Sequence, residues 1–336
     1  MTKEREKILE VENLCTKFHT ERGDLKAIDG VSFHVYKGEI LGIVGESGCG
    51  KSVTSQSILR LYDEKRAASY EGEVRLEGEN LFSLSEKNMQ KIRGEKIAMV
   101  FQDALSSLNP VFTVGSQIME ALLIHQKISR NEAVDKSIDL LRLVGIPEAE
   151  KRFTQYPHQL SGGMRQRVMI AIALACHPKL LIADEPTTAL DVTIQAQILR
   201  ILKKLAEESD TSVILITHDM GVVAEMADHV MVMYAGKSVE YGTAEDIFDH
   251  PMHPYTVGLL KSIPKLGSGQ EDHLFTIEGT VPGLDEMPAG CRFSTRCPYA
   301  TEQCKKEDPG MQGEAGHFVR CFRFMDPEIQ DSREVE

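Results

Sequence analysis

The sequence predicts an α/β fold in which a buried sheet is covered on both faces. Five short apolar runs indicate the strands: EILGIV, KIAMVF, KLLIAD, SVILIT and VMVMY. Apolar residues follow one another in these runs instead of alternating with polar ones, which is typical of strands buried on both faces. Amphipathic stretches separate the runs, so strands and helices alternate along the chain as they do in α/β proteins.

Length and composition bound the class of protein. The chain has 336 residues, of which 42% are hydrophobic and 26% are charged. A chain of this length exceeds the usual size of one hydrophobic core, so we expect one large globular domain with a further unit appended. The formal net charge of -13 argues against broad attraction to nucleic acid or anionic lipid, and we expect no nucleic-acid partner.

The apolar segments are too short to cross a bilayer. The longest uninterrupted run, VMIAIALAC, extends from Val168 to Cys176, far short of the ~20 residues that a spanning helix needs. The start, MTKEREKILEVEN, has no apolar stretch after its charges. We therefore expect a soluble chain that is not secreted, and any membrane contact to go through a protein partner.

A helical period dominates residues 103–177, as in GSQIMEALLIHQ and AVDKSIDLLRLVG. We interpret this region as a helical insertion between two core strands. After Tyr241, AEDIFDHPMHPYTVGLLKSIP predicts a helix, a turn and a helix, and KLGSGQEDH predicts an exposed linker.

The segment GESGCGKS, Gly45 to Ser52, follows the strand EILGIV and opens the helical stretch KSVTSQSILRLY. Glycines at positions 45, 48 and 50 allow backbone angles closed to other residues, so successive N–H groups can surround a polyphosphate. Lys51 can reach the outer phosphates, and Ser52 can supply an oxygen to Mg²⁺. Cys49 is interpreted as a small space-filling residue. A plain glycine-rich turn is the alternative, but the required strand and helix both flank the segment.

Two carboxylates, Asp184 and Glu185, end the predicted strand LLIADEP. The carboxyl ends of strands are where α/β sheets bind ligands. We expect Asp184 to hold Mg²⁺ through water and Glu185 to polarise the attacking water as general base. The strand SVILITHD would bring His218 to the same edge. The alternatives are that the acidic pair caps the next helix and that the histidine is structural.

The segment LSGGMRQR, Leu160 to Arg167, opens another helix with a serine and two glycines. Ser161 can cap that helix, while the N–H groups beyond it form a second anion site. A simple helix cap is the alternative.

Taken in order, the phosphate loop, Gln102, LSGGMRQR, LLIADEP, TALD and THD resemble the ATP-binding subunit of an ABC transporter, over about Ile8 to Tyr241. The resemblance implies a P-loop NTPase with a RecA-like core and an inserted helical subdomain. It also implies that two cassettes pair head to tail, with ATP between the phosphate loop of one subunit and the signature helix of the other. Ser161 and Gly163 would then contact the γ-phosphate bound by the second subunit.

The resemblance also implies a set of site residues. The predicted nucleotide contacts are Phe18, Gly45, Ser47, Gly48, Cys49, Gly50, Lys51, Ser52, Val53, Gln102, Ser161, Gly162, Gly163, Gln166 and Asp191. The predicted magnesium ligands are Ser52, Gln102 and Asp184, and the predicted catalytic residues are Glu185 and His218. Phe18 would stack on adenine, with core packing as the alternative. Asp191 would line the shared interface, and Gln102 would start the segment that touches the membrane subunit.

The C-terminal segments HPYTVGLLKSIP, GTVPGL and GCRFSTRCPYATEQC resemble the extension of dipeptide and oligopeptide importer ATPases, from about His250 to Arg323. The resemblance implies a nucleotide-binding domain at 1–245, with its helical subdomain at about 103–177, and an extension at 246–336. The chain would be a peripheral ATPase at the cytoplasmic face of the membrane.

Its implied partners are a second ABC ATPase subunit, two integral membrane permease subunits and an external peptide-binding protein. Three alternatives stay open. They are a nickel importer ATPase of the same family, a soluble ABC ATPase acting on DNA or ribosomes, and a redox sensor that uses ATP.

Four of the seven cysteines, Cys291, Cys297, Cys304 and Cys321, lie near the C-terminus with the spacing C-x5-C-x6-C-x16-C. In a reducing cytosol, clustered thiols favour metal ligands over disulfides. The spacing lacks the close pairs of zinc modules and suits a [4Fe–4S] cluster. Zinc, with His317 as a substitute ligand, and metal-free thiols are the alternatives. Because this region has few large apolar residues, we expect a metal staple to be needed to fold it.

Overall fold

The computed structural model describes residues 5–21, 23–103, 107–188, 190–209, 211–263, 275–314 and 316–325. The chain divides into two compact units. The first unit comprises Met1–Leu9, Val35–Ile40 and Arg75–Ile216, and the second comprises Glu10–His34, Leu41–Val74 and Thr217–Glu336. The predicted linker KLGSGQEDH, residues 265–273, lies outside the described residues.

The secondary structure of the described residues is as follows. The strands are β1 (Lys7–Thr20), β2 (Gly23–Tyr36), β3 (Ile40–Val44), β4 (Ala68–Leu76), β5 (Glu79–Asn80), β6 (Ile97–Val100), β7 (Leu180–Asp184), β8 (Ser212–Thr217), β9 (His229–Tyr234), β10 (Lys237–Thr243), β11 (Gln312–Glu314) and β12 (His317–Val319). The helices are α1 (Lys51–Ile58), α2 (Glu86–Ile92), α3 (Val114–His125), α4 (Arg130–Leu143), α5 (Ala149–Phe153), α6 (Gly162–Leu174), α7 (Val192–Ser209), α8 (Met220–Met226), α9 (Ala244–Asp249), α10 (Pro254–Lys261) and α11 (Glu302–Lys306).

The five predicted strands are confirmed as β3, β6, β7, β8 and β9. All five residues of β3 and of β7 are buried, as continuous apolarity predicts. In the region of the predicted helical insertion, α3, α4, α5 and α6 lie between β6 and β7 in the chain. After Tyr241, α9 and α10 lie where the sequence predicts a helix, a turn and a helix.

In the first unit, β7 pairs in parallel with both β6 and β8. Parallel pairing puts the carboxyl ends of β6 and β7 at the same edge of the sheet. Gln102 follows β6 and Glu185 follows β7, so the topology of this unit brings them to one place.

Local signals explain where the inserted helices begin. Ser129 and Glu132 form a capping box at the start of α4, in which the Ser129 hydroxyl accepts from the Glu132 N–H and the Glu132 carboxylate accepts from the Ser129 N–H. Ala133, Ser137 and Leu140 are then buried at helical spacing on one face of α4.

In the second unit, β3 pairs in parallel with β9, and β10 pairs antiparallel with β9. β12 then pairs antiparallel with β10, with Tyr241 opposite Phe318. A strand of the C-terminal extension therefore continues the sheet that carries the phosphate loop. A separate sheet of this unit has β1 between β2 and β4.

The C-terminal extension also contributes to the core of the second unit. Phe293 is 3% exposed and packs against Tyr234 and Tyr255, with ring centroids 5.1 and 5.4 Å apart. Burying a phenylalanine side chain contributes about 1.5–3 kcal/mol. Val319 on β12 is fully buried as well.

Ion pairs hold the same region. Arg292 donates to the Asp29 carboxylate at 2.7 Å and to the Ala235 carbonyl. Although burial opposes it, hydrogen bonds and charges from Lys26, Lys237 and Arg292 lower the pKa of Asp29 to about 2.

The structure does not support the predicted metal staple. The prediction counted few large apolar residues in the extension, but it could not anticipate that Phe293 and Val319 share the core of the second unit or that Arg292 pairs with Asp29. Packing and ion pairs with the rest of this unit therefore help to hold the extension in place. Among the described helices, none combines the length and apolarity needed to cross a bilayer.

Candidate nucleotide site and cysteine cavity

The phosphate loop joins β3 to α1 in the second unit, and two of its glycines are sterically required. Gly45 has φ 150°, and a Cβ there would lie 2.3 Å from the Met233 carbonyl oxygen. Gly50, the N-cap of α1, has φ 103°. A side chain at either position would be strained, so the backbone shape of this loop depends on glycine.

Lys51 lies at the start of α1 with its ammonium group inside the loop. Its side chain is buried, and Nζ donates to the carbonyl oxygens of Gly45 at 2.7 Å and Glu46 at 3.1 Å. The Cys49 sulfur is a weak third contact at 3.9 Å. A phosphate oxygen would replace that contact with a charge-assisted hydrogen bond.

Cys49 is fully buried beneath the loop, and burial raises the pKa of its thiol. A protonated thiol is a poor nucleophile, which agrees with a space-filling role. Ser47 and Gly48 are exposed at the loop tip, and Ser52 and Val53 are half-buried in the first turn of α1.

Phe18, near the end of β1, is half-buried in the same unit. Its ring meets that of Tyr62 edge to face, with centroids 4.9 Å apart. Sequence reasoning missed Tyr62, since the residue carries no motif of its own.

His218 is exposed between β8 and α8.

Glu185 is the most constrained of the predicted residues in the first unit. It is a non-glycine residue with φ 46°, a backbone conformation that costs roughly 1–3 kcal/mol. Its N–H donates to the Ile216 carbonyl at 2.9 Å. Its Oε2 accepts from Gln102 Nε2 at 2.8 Å and from Thr188 Oγ1 at 2.9 Å.

These contacts hold the carboxylate of a buried residue in one orientation. Asp184, the preceding residue, is 2% exposed at the end of β7. Glu185 is therefore a carboxylate held by two hydrogen bonds, directly after a second buried acid. Sequence reasoning missed Thr188, although its position three residues after Glu185 is a signal for a local side-chain hydrogen bond.

The signature segment also lies in the first unit. Ser161 caps α6, accepting from the Met164 N–H at 3.4 Å, and Ser161 and Gly162 are exposed. Space at Gly163 is tight, because a Cβ there would lie 3.1 Å from Ile194 Cγ2. The N-terminus of α6 is therefore exposed at Ser161 and Gly162, where the anion site is predicted.

Two further predicted residues lie around this segment. Asp191 is exposed and accepts from the Ile194 N–H at 2.9 Å, so it caps the start of α7. Gln166 is buried in α6, and its Nε2 has no hydrogen-bond partner among the described residues.

The four C-terminal cysteines line one cavity of about 400 Å³ in the second unit. Phe293, Tyr299 and Phe322 contribute to its wall. Burial raises the pKa of Cys291 to about 11 and also raises the pKa values of Cys297 and Cys321. Within the described residues, however, no group of three or more His, Cys, Asp or Glu side chains is placed to hold a metal ion.

Known proteins of similar sequence match almost the whole chain. It is 53% identical to the probable peptide ABC transporter ATP-binding protein y4tR of Sinorhizobium fredii, over 94% of this chain and 95% of that protein. It is 50% identical to the oligopeptide transport ATP-binding protein AppD of Bacillus subtilis, over 97% and 99% of the two chains. This chain belongs to the ABC transporter ATP-binding proteins. The predicted family is thereby confirmed.

Two known families match different segments of this ABC ATPase, and solved structures match its fold. The ABC transporter family matches residues 28–188, and the oligopeptide/dipeptide transporter C-terminal region matches residues 239–304. A dimeric, post-hydrolysis structure of the ATP-binding cassette MJ0796 with ADP and phosphate covers 70% of this chain and 98% of that one, at 29% identity and a TM-score of 0.64. The ABC ATPase therefore has the cassette fold of an ATP-hydrolysing enzyme.

Proposed function

We propose that this ABC ATPase energises the import of dipeptides or oligopeptides. The observation that carries the proposal is that a peptide-transporter extension, residues 239–304, follows an ATP-binding cassette on one chain. Relatives about half identical over nearly their full length are named for peptide, oligopeptide or dipeptide transport. The nickel importer stays the alternative within the family, since the ATPase need not touch the cargo.

The residues have distinct roles in the proposed ATP chemistry. Lys51 and the phosphate loop bind the triphosphate. Glu185 accepts a proton from the attacking water, and His218 assists at the same nucleotide. Ser52, Gln102 and Asp184 would hold Mg²⁺, and their hydroxyl, amide and carboxylate oxygens are the donors this ion prefers. Bound Mg²⁺ would offset negative charge on the phosphates.

The remaining predicted contacts belong to a paired arrangement of two ATPase subunits. Ser161, Gly162, Gly163 and Gln166 would serve the nucleotide of the second subunit, and Asp191 would line the interface between subunits. Two solved structures of the cassette MJ0796 are dimeric, which supports this arrangement. The exposed N-terminus of α6 supports it too.

Two membrane permease subunits are the proposed route of attachment at the cytoplasmic face. Large hydrophobic side chains are exposed in the segment that follows Gln102 and in α3: Val111, Phe112, Leu123 and Ile124 are 71%, 54%, 41% and 68% exposed. Such a cluster is typical of a protein interaction surface. In this proposal residues 1–245 form the ATP-binding cassette and residues 246–336 form the C-terminal extension. An external peptide-binding protein would supply the cargo.

The test of this function is uptake by cells that lack the gene. Restoring the chain with its permease partners should restore growth on dipeptides or tetrapeptides as the sole source of a required amino acid. Restored nickel uptake without peptide uptake would favour the alternative. Copurification with nucleic acid instead of permeases would contradict both.

The shared-site arrangement makes a separate prediction. Lys51→Ala and Ser161→Arg subunits should each be inactive alone, but a mixed dimer carries both defects in one composite site and leaves the other intact. For a chain that pairs with itself, equal mixing should restore about one quarter of the sites. ATPase activity of the mixture measures this, and each variant mixed with itself is the control. No recovery in a dimer shown to be mixed would contradict the arrangement. If the partner is a distinct ATPase, the variants are placed in the two different chains.

The cysteine cavity is proposed to hold a [4Fe–4S] cluster. All four thiols line one cavity of about 400 Å³. Four cysteine ligands suit such a cluster. Zinc and metal-free thiols are the alternatives.

Protein purified without oxygen should then be brown and contain about four irons per chain. Replacing Cys297 with Ser should remove the colour and the iron, because the cluster would lose a ligand. Cys176→Ser, which changes a half-buried cysteine of the first unit, is the matched control and should stay brown. A colourless anaerobic preparation with stoichiometric zinc would contradict the cluster.

A further inference from the structure

The C-terminal extension contacts the phosphate loop at Glu46, the second residue of that loop. The Glu46 N–H donates to Tyr255 Oη at 2.8 Å. Its carboxylate accepts from both terminal nitrogens of Arg296, at 2.6 and 3.0 Å. Its carbonyl accepts from Lys51 Nζ at 3.1 Å. The same carbonyl accepts from the Cys49 N–H at 3.3 Å. Every polar group of Glu46 therefore has a partner, and two of these partners, Tyr255 and Arg296, come from the C-terminal extension.

Other hydrogen bonds fix the Arg296 side chain in addition to its contact with Glu46. Its side chain is 3% exposed, although it carries a charge. Nε donates to the Glu278 carbonyl at 2.8 Å, and a terminal nitrogen donates to the Ile277 carbonyl at 3.1 Å. Because these bonds fix the guanidinium, its terminal nitrogens have one orientation. In that orientation they can donate two hydrogen bonds to a single carboxylate.

Tyr255 is equally fixed. It is fully buried, and its ring packs against those of Tyr234 and Phe293 with centroids 4.8 and 5.4 Å apart. Its N–H donates to His253 Nδ1 at 3.1 Å. Burial lowers the pKa of His253 to about 4, so the ring stays neutral and Nδ1 keeps the lone pair that accepts this bond.

The negative charge of Glu46 explains why its contact with Arg296 matters for nucleotide binding. Its side chain is 32% exposed and belongs to the loop that must receive a polyanion. An unpaired carboxylate there would repel the triphosphate, and Arg296 offsets that charge.

We propose that Arg296 and Tyr255 are positioning residues for ATP, through which the C-terminal extension sets the shape and charge of the phosphate loop. Neither residue touches the nucleotide. Both act through Glu46. The proposal rests on the ATPase activity of the family and is independent of the peptide cargo.

Arg296→Met is the direct test, in the full chain assembled with its ATPase partner. The variant keeps most of the side-chain length but leaves the Glu46 carboxylate uncompensated. We expect kcat/KM for ATP to fall by about tenfold or more, chiefly through a higher KM, because small displacements of binding groups have effects of this size. Adding Glu46→Gln to Arg296→Met should recover most of the loss, since it removes the repelling charge.

Arg320→Met is the matched control. Arg320 is also a largely buried arginine of the extension, but it donates to the carbonyls of Ser238 and Pro309 and not to the loop. Both variants should lower Tm, whereas Arg296→Met alone should change KM at a temperature well below either Tm. Equal KM values for the two variants, or no recovery on adding Glu46→Gln, would overturn the proposal.

Arg296→Lys covers the case in which Arg296→Met does not fold. It keeps the charge but loses the two-point contact, so KM should rise by about threefold or more. An unchanged KM in this variant would overturn the proposal. A wild-type protein without ATPase activity would instead contradict the enzyme assignment, and the two failures are thus distinguishable.

Discussion

Replacing Glu185 with Gln is expected to slow ATP hydrolysis by about 10² or more while ATP binding is kept, which is the contribution of a general base. The amide cannot accept the proton of the attacking water. It can still accept the hydrogen bonds from Gln102 and Thr188, so the backbone conformation at φ 46° should persist.

Single-turnover kinetics measure the rate of ATP hydrolysis, and nucleotide titration measures the affinity for ATP. ATP should also stabilise the dimeric form of Glu185→Gln, because the bound nucleotide is no longer consumed. Glu79→Gln, an exposed carboxylate on β5 in the same unit, is the matched control and should hydrolyse ATP at the normal rate. Near-normal turnover in Glu185→Gln would refute the assignment.

Replacing Lys51 with Ala is expected to weaken ATP binding itself. A hydrogen bond to a charged group contributes about 1.5–3 kcal/mol, which corresponds to a loss of roughly 10- to 100-fold in affinity. The empty loop also loses the ammonium that joins the Gly45 and Glu46 carbonyls. Both effects act on binding, so this defect differs in kind from that of Glu185→Gln.

Equilibrium titration with a slowly hydrolysed ATP analogue measures the affinity of Lys51→Ala. Lys65→Ala removes an exposed lysine of the same unit and controls for the general loss of positive charge. If Lys51→Ala bound the analogue as tightly as Lys65→Ala, the lysine would have no role in holding phosphates.

The sequence alone determined the parts of the molecule whose chemistry is local. A glycine pattern between a strand and a helix specifies a phosphate loop because backbone angles at Gly45 and Gly50 decide its shape. Continuous apolar runs identified β3 and β7, since burial on both faces leaves no polar alternation. Half-exposed strands such as β1 carry a weaker pattern, and the sequence did not predict them.

The tertiary structure alone decided which distant residues meet. Arg296 and Glu46 are 250 positions apart, and no local pattern pairs them. The core of the second unit is likewise shared by Tyr234, Tyr255 and Phe293. A count of apolar residues within the extension left out this packing, and the predicted metal staple depended on that count. The physical reason is that burial and ion pairing depend on the neighbours a folded chain supplies, whereas backbone turns and helix caps depend on residues adjacent in sequence.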